Sequence, residues 1–279
     1  MATLATSRSR SQLERFFRDA VSSIVNVGII SDIHLRSAHE HAILTELDSV
    51  LGRLNAVDPD HLVVLGDLVE DEDPETDRDH LRAVQAALNS LGVPVTYLLG
   101  NHDVEQLSRA DLRDLFGVKR FYGRIGETNL FYLDSSAPER SGAQGAVGEK
   151  QLAFLDRELA DADGAVVFVH HPLGYRDLSD NHWFAEEPEQ AFCGNKREVN
   201  SVLARHDVRA VVNGHVHETA HVRHRGVDHL TVNAFAKERR DRPVTGTYAK
   251  LTVGDSISLR VVEGDQMTVT FEIPTASGG

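Results

Sequence analysis

The stretch Val25-Asn26-Val27-Gly28-Ile29-Ile30-Ser31-Asp32-Ile33-His34 decides the fold. Its first six residues are a short, mainly apolar run, which predicts a buried strand from Val25 to Ile30. Asp32 and His34 follow that strand directly. Because residues i and i+2 of an extended segment point to the same side, we expect these two side chains to aim at one place.

Polar side chains follow four more predicted strands in the same way. These strands are predicted at 62–65, 95–99, 165–169 and 208–212. The side chains that follow them are Asp67, Asn101, His102, Asp103, His170, His171, His215 and His217. Since open α/β sheets bind ligands beyond the carboxyl ends of their strands, these candidates should converge on one rim. Gly66, Gly100 and Gly214 precede three of the groups and would permit sharp turns there.

The convergence of these residue types indicates a metal site. Burying Asp32 and Asp67 close together is costly unless cations neutralise them, and a pair of divalent cations would do so. Each motif alone is compatible with a turn, a loop entry or an exposed strand, but the five together favour a metal. The one cysteine, Cys193, excludes an internal disulfide and a cysteine zinc cluster. Imidazole, carboxylate and amide ligands instead suit manganese, iron or zinc.

Strands alternate with helices up to about residue 213, and strands then follow one another. Helices are predicted at 10–22, 43–54, 81–91, 105–116, 149–161 and 195–206. Further strands are predicted at 130–133, 219–224, 228–234, 246–253, 257–263 and 267–273. The pattern favours an α/β fold in one domain spanning 1–279, with a strand-rich part from about 219. Residues 135–148 are typical of a surface loop, and the long irregular segment 173–194 is typical of an active-site loop.

The formal net charge of −14 disfavours general binding to nucleic acid. It does not disfavour a small anionic substrate, because metal ions reverse the field inside a cleft. The basic run at 239–242 is more typical of a solvated loop than of a nuclease groove. No apolar run is long enough for a transmembrane helix, and the N-terminus lacks the apolar core of a secretory signal. We therefore expect a cytoplasmic protein without membrane contact.

The combined motifs resemble the calcineurin-like metallophosphoesterase superfamily. Its signature reads Asp-x-His, Gly-Asp, Gly-Asn-His-Asp/Glu, His and Gly-His-x-His. Here the motifs stand as Asp32-Ile33-His34, Gly66-Asp67, Gly100-Asn101-His102-Asp103, His170 and Gly214-His215-Val216-His217. The resemblance spans about residues 26–217 and implies a four-layer αββα sandwich, in which helices flank two central mixed sheets.

The resemblance also implies the ligands of two metal ions. The first ion would take Asp32, His34, Asp67 and His217. Asp67 would bridge to the second ion, which would also take Asn101, His170 and His215. We prefer His170 to His171 as the ligand because it directly ends its strand.

His102 and Glu70 are the catalytic candidates. In the family, the histidine at the position of His102 touches the phosphate, and an aspartate three residues after the Gly-Asp aspartate usually orients it. Here that position holds Glu70, which could orient His102 or could belong to a solvated acidic stretch at 70–73. The resemblance implies direct attack of a metal-bound hydroxide on phosphorus, without a phosphoenzyme.

The class III cyclic-nucleotide phosphodiesterase-like group is the most similar part of the superfamily. The expected function is therefore hydrolysis of a small phosphoester substrate, with a diester favoured over a nucleotide or sugar monoester. A non-catalytic scaffold on the same fold is disfavoured because every ligand position is filled. In the loop, Tyr175, His182, Trp183 and Phe184 could stack on a base or could only anchor the loop, and Arg36 could contact a phosphate. The sequence leaves the oligomeric state open, and the C-terminal strands could pair two chains into a homodimer.

Overall fold

The computed structural model describes residues 24–236, 244–264 and 266–274. The helix expected at 10–22, the basic run at 239–242 and the end of the chain from 275 lie outside the described residues. The described helices are α1 (Glu40–Asn55), α2 (Pro74–Asn89), α3 (Arg109–Phe116), α4 (Glu149–Leu159) and α5 (Lys196–Leu203).

The strands form two large sheets and one small one. The strands of the first half are β1 (Val25–Ile30), β2 (His61–Val64), β3 (Val95–Tyr97), β4 (Gly123–Arg124), β5 (Leu130–Leu133), β6 (Ser136–Ala137) and β7 (Ala146–Val147). Those of the second half are β8 (Ala165–Val169), β9 (Val208–Asn213), β10 (Ala220–His224), β11 (Val227–Thr231), β12 (Tyr248–Val253), β13 (Ile257–Glu263) and β14 (Gln266–Ile273). The first sheet has the order β14-β13-β12-β1-β2-β3, and the second has the order β10-β11-β9-β8-β5-β4.

Both large sheets are mixed, with a parallel centre. In the first, β1, β2 and β3 are parallel while β12 to β14 form an antiparallel meander. In the second, β5, β8, β9 and β11 are parallel, and β4 and β10 lie antiparallel at the edges. The parallel strands of each sheet therefore end toward one rim, which is where the polar motifs follow them.

The two sheets pack face to face between two layers of helices. Alternate residues of β1 point to opposite faces, so Val27 and Ile29 join the core between the sheets, where Phe168 of the second sheet also lies. Ile30 faces the other way, into the core beneath α1 and α2. A third core joins α4 and α5 to the outer face of the second sheet. This arrangement confirms the four-layer αββα sandwich.

The element bounds differ from the sequence-based expectation in particular places. Helix α2 begins at Pro74, where the side chain of Asp73 accepts hydrogen bonds from the next backbone N–H groups. Apart from Pro74, its first two turns contain no apolar side chain before Leu81, so periodicity alone predicted a later start. The segment 135–148 contains the short parallel pair β6 and β7 as well as loop. Two-residue strands carry no periodicity that a sequence could reveal.

The segment 173–194 is irregular, as expected, apart from a 3₁₀ turn at Pro188–Ala191. No helix in the described part of the chain combines the length and the apolar composition that crossing a bilayer requires. That the chain forms one domain stays a prediction.

Candidate metal centre

The candidate ligands meet at the carboxyl ends of both sheets. Asp32 follows β1, Asp67 follows β2 and Asn101 follows β3, while His170 and His215 follow β8 and β9. Asp32, Asp67 and His170 each offer one donor atom, and these three atoms lie within 4.8 Å of one another. The rim that the sequence predicts is therefore formed by strands of two different sheets.

Five of the candidate ligands adopt the left-handed backbone conformation. Their φ angles are 53° at Asp32, 46° at His34, 50° at Asp67, 71° at His215 and 52° at His217. This conformation is uncommon outside glycine and costs about 1–3 kcal/mol per residue, and such residues cluster at functional sites. We expected Asp32 and His34 to point to the same side because they lie in an extended segment, and that geometry was wrong. The strand has ended before Asp32, and tight turns direct both side chains instead.

Asp32, His34 and His217 form the first donor group. His217 Nε2 lies 3.4 Å from Asp32 Oδ1, and 3.1 Å from His34 Nε2. His34 Nε2 also lies 3.8 Å from Asp67 Oδ2. Two imidazole nitrogens and two buried carboxylates thus face one another across a gap that a cation can fill.

Asp67 and His170, together with Asp32, form the second donor group. His170 Nε2 lies 3.2 Å from Asp67 Oδ2, while its Nδ1 donates to the carbonyl oxygen of Leu65 at 2.8 Å. That hydrogen bond leaves Nε2 as the lone-pair nitrogen of the neutral ring. Asn101 Oδ1 is buried and has no hydrogen-bond partner among the described residues. Asp67 lies between the two groups.

His215 and His171 pack beside His170, and the three rings offer donor atoms within 4.8 Å of one another. His215 Nε2 donates to the carbonyl oxygen of Gln190 at 3.1 Å, which leaves Nδ1 to act as a ligand. His171 Nδ1 lies 2.8 Å from Ser135 Oγ, and its Nε2 has no hydrogen-bond partner in the described structure. His215 and His217 therefore lie in different donor groups.

The carboxylates and imidazoles of the site shift one another's pKa in opposite directions. Burial opposes the charge of Asp32, but its hydrogen bond to His217 and the charge of that ring lower the pKa of the carboxyl to about 2. Burial also disfavours protonated His34, yet the hydrogen bond that its ring donates to Glu70 and the charge of Asp67 raise the pKa of His34 to about 9. The negative field at this rim therefore favours bound cations.

The buried His170 and His215 respond differently. Against the effect of burial, the charge of Asp67 raises the pKa of His170 to about 9. Burial and the charge of His170 lower the pKa of His215 to about 3. The donor set as a whole, with imidazole, carboxylate and amide groups, fits divalent ions such as manganese, iron or zinc.

Two glycines allow the carboxylates to lie this close to the backbone. A methyl group on Gly100 would overlap the carboxylate of Asp67, and one on Gly214 would overlap Ser31 and Asp32. The buried carboxylate of Asp103 fixes the same turn by accepting from the backbone N–H groups of Leu68 and Gly100 at 2.7 and 2.8 Å. The glycines in the motifs are therefore required for close approach.

His102 lies at the mouth of the site, and its partner differs from the sequence-based expectation. Its Nδ1 lies 2.8 Å from Asp71 Oδ2, and its ring centroid lies 4.9 Å from that of His34. Glu70 instead places Oε2 3.1 Å from His34 Nδ1 and 3.8 Å from Arg36. The left-handed turn at Asp71, with φ at 60°, brings this shorter acid to His102. The adjacent acids of the stretch 70–73 were the only sequence signal, and they did not separate the two roles.

The donor groups open onto a cavity of about 260 Å³. Arg36 and Glu70 line it beside His34, and Arg36 donates to the carbonyl oxygen of His34 at 3.1 Å. Trp183 and Phe184 of the segment 173–194 also line it. Tyr175 and His182 are not among its lining residues.

A family model described as calcineurin-like phosphoesterase matches residues 25–219, which include all of these motifs. The chain belongs to the calcineurin-like phosphoesterase family. It is therefore a metal-dependent phosphoesterase, as the motifs predicted.

Named relatives of this calcineurin-like phosphoesterase include two kinds of hydrolase. It is 30% identical over 200 residues to a cAMP/cGMP dual specificity phosphodiesterase of Mycobacterium tuberculosis, and the match covers 67% of this chain but only 60% of that relative. It is 40% identical over 212 residues to a UDP-2,3-diacylglucosamine hydrolase of Serratia proteamaculans, covering 70% of this chain and 83% of the relative. Among solved structures, a dimetal phosphatase from Danio rerio shares the fold with a TM-score of 0.72 at 17% identity, covering 90% of this chain and 99% of that one.

Proposed function

We propose that this phosphoesterase is a two-metal phosphodiesterase that hydrolyses cyclic nucleotides. The observation that carries the proposal is the position of Asp67, whose carboxylate lies 3.8 Å from His34 and 3.2 Å from His170. A carboxylate between two imidazole groups is the arrangement that a bridged pair of metal ions requires. Relatives named as phosphodiesterases supply the substrate class.

The proposed ligand sets follow the two donor groups. The first metal takes Asp32, His34, Asp67 and His217. The second takes Asp67, Asn101, His170 and His215. His171 lies close to the second set, but its hydrogen bond with Ser135 holds it in place without a metal, so we keep His170 as the ligand. Manganese, iron and zinc each suit these donors.

The bound metals would lower the pKa of an attacking water and neutralise charge on the phosphate. His102, at the mouth of the cavity, is placed to donate a proton or a hydrogen bond to the leaving oxygen. Asp71 holds its Nδ1 at 2.8 Å, which leaves Nε2 to face the substrate. Glu70 accepts from Nδ1 of the His34 ring, and Arg36 donates to the backbone carbonyl oxygen of His34.

The size and surface of the cavity support a small ring-bearing diester over a diacylated sugar nucleotide. A volume of about 260 Å³ lies just below the range of about 300–1,000 Å³ that is usual for pockets of small organic ligands. Two acyl chains would need an extended apolar surface. In the described residues, the exposed large apolar side chains are only Ile24, Val57, Tyr175 and Trp183. These do not form a groove along the cavity, since Trp183 alone of the four lines it.

The test is hydrolysis by the chain loaded with manganese. Rates on 3′,5′-cyclic AMP and bis-p-nitrophenyl phosphate should exceed the rate on p-nitrophenyl phosphate, and Asn101→Ala and His102→Ala should abolish them. His41→Ala, on the exposed face of α1, should leave the rates unchanged. A faster monoester reaction would identify a phosphomonoesterase, and cleavage of a UDP-sugar diphosphate alone would favour the second kind of relative. Failure to take up about two metal ions per chain would refute the two-metal proposal.

A further inference from the structure

Trp183 is an exposed aromatic residue beside the metal centre. Its side chain is 46% exposed, although it lines the cavity that holds His34, His102 and His217. Its ring centroid lies 5.7 Å from that of His217. A large apolar surface left open next to a phosphate site is a place where an apolar part of the substrate can bind.

Anchoring of the loop does not account for this exposure. The segment is already anchored by a small apolar cluster in which Leu178, Phe184 and Phe192 are buried against Val216. Phe184 also packs on the ring of His215, with centroids 5.0 Å apart. Trp183 is not part of that cluster, so the loop keeps its anchor without the indole.

The turn that carries Trp183 is tied to the metal-binding motif. The buried side chain of Asn181 accepts from the backbone N–H groups of Trp183 and Phe184, both at 3.0 Å. Its Nδ2 donates to the carbonyl oxygen of Val216 at 3.0 Å, between His215 and His217. The backbone that carries the indole is therefore held in place before substrate binds, which reduces the entropy lost on binding.

We propose that the face of Trp183 stacks on the nucleobase of the substrate while the phosphate lies at the metal centre. This inference rests on the proposed function, and it makes the planar base, rather than the phosphate alone, a determinant of affinity. Stacking on an aromatic side chain tolerates any base, so purine and pyrimidine nucleotides should both bind. Removal of such a platform weakens binding by roughly 5- to 150-fold.

Trp183 is the one tryptophan of the chain, so its fluorescence reports contact directly. We would titrate the manganese-loaded chain with 5′-AMP and with ribose 5-phosphate, which lacks the base. The nucleotide should quench the emission and bind more tightly, whereas ribose 5-phosphate should bind without comparable quenching. Binding of 5′-AMP without any change in emission would overturn the inference.

Variants measured by calorimetry complete the test. Trp183→Leu should weaken 5′-AMP about tenfold and leave ribose 5-phosphate within about twofold, while Trp183→Phe should retain most of the affinity. Tyr175→Leu is the matched control, because Tyr175 is an exposed aromatic residue of the same segment, 39% exposed, that does not line the cavity. Stacking would be overturned if Trp183→Leu lost the same affinity for ribose 5-phosphate as for 5′-AMP. It would also be overturned if Tyr175→Leu lost as much affinity for 5′-AMP as Trp183→Leu.

The failure of stacking and the failure of the proposed reaction have different signatures. If cyclic AMP is hydrolysed and Trp183→Leu leaves its KM unchanged, the reaction stands and stacking is overturned. If 5′-AMP binds with Trp183-dependent quenching but no cyclic nucleotide is hydrolysed, stacking stands and the proposed reaction fails.

Discussion

Replacing Asp71 with asparagine removes the carboxylate that lies 2.8 Å from His102 Nδ1. The amide can still accept a hydrogen bond, but it no longer stabilises a protonated imidazole. If His102 protonates the leaving oxygen, the loss must appear mainly with substrates whose leaving group needs that proton. Glu70, which stands at the position that the family pattern gives to the partner of His102, contacts His34 instead and should not show this dependence.

The expected magnitude follows from the exposure of the pair. A hydrogen bond to a charged group is worth about 1.5–3 kcal/mol when it is shielded from water. The side chains of His102 and Asp71 are 28% and 35% exposed, so solvent screening reduces that value. We expect a loss of about 1–1.5 kcal/mol in the transition state, which is roughly a five- to tenfold decrease in kcat.

The assay compares two diesters of one nucleotide, with p-nitrophenol and with phenol as leaving group. For Asp71→Asn we expect about a tenfold loss with phenol and less than about threefold with p-nitrophenol, whose anion leaves without a proton. Asp71→Glu should recover part of the phenol rate. Glu70→Gln is the matched control, and it should weaken metal affinity about 10- to 100-fold and slow both substrates equally. Equal losses on both substrates in Asp71→Asn, or leaving-group dependence in Glu70→Gln instead, would refute the assignment of Asp71.

Three further predictions concern metal binding and packing. The pKa values of His34 and His170 are raised to about 9 without metal, so both rings are protonated at pH 7. Manganese binding at pH 7 should therefore release about two protons, and the affinity for manganese should increase as the pH rises toward 9. Calorimetry in buffers of different ionisation enthalpy measures this, and proton-free binding would contradict it. Gly100→Ala should lower both metal content and Tm, because the added methyl group overlaps the carboxylate of Asp67. The control Gly52→Ala lies in open space on α1 and should be neutral or stabilising by up to about 1 kcal/mol. Normal metal content in Gly100→Ala would count against the close packing. Asn181→Ala should raise KM for cyclic AMP with little change in kcat and speed hydrogen exchange at 182–184, and unchanged exchange would show that the turn is held by other contacts.

The alternation of strands and helices could be predicted from the sequence because each signal is local, whereas the four-layer arrangement was implied by the family resemblance. The strand from Val25 to Ile30 and its neighbours were visible as short apolar runs, since strands buried on both faces carry few polar residues. The motif spacing also indicated the rim at which the ligands meet. Helix starts such as Pro74 were less visible, because polar first turns are marked by capping rather than by apolar periodicity.

The roles of neighbouring residues could not be predicted in this way. Glu70 and Asp71 are adjacent acids, and only the left-handed turn at Asp71 brings the second, rather than the first, to His102. The spacing of His215 and His217 alone did not separate their roles, which only the resemblance assigned to different metals. Both residues lie in tight turns, and their rings belong to different donor groups. A side-chain direction in such turns depends on contacts with distant segments.

The sequence by itself determined the family, the alternation of strands and helices, and the set of residue types that can bind metal. It could do so because burial and chemistry select residue types within short, contiguous motifs. The family resemblance, rather than residue spacing, implied the two ligand sets. Only the tertiary structure decided how closely the donors approach one another, which acid holds His102 and which aromatic residue stays exposed at the cavity. Those outcomes depend on contacts such as that between Asp32 and the backbone N–H of His215, which lies 183 positions away in the chain and 3.1 Å away in space.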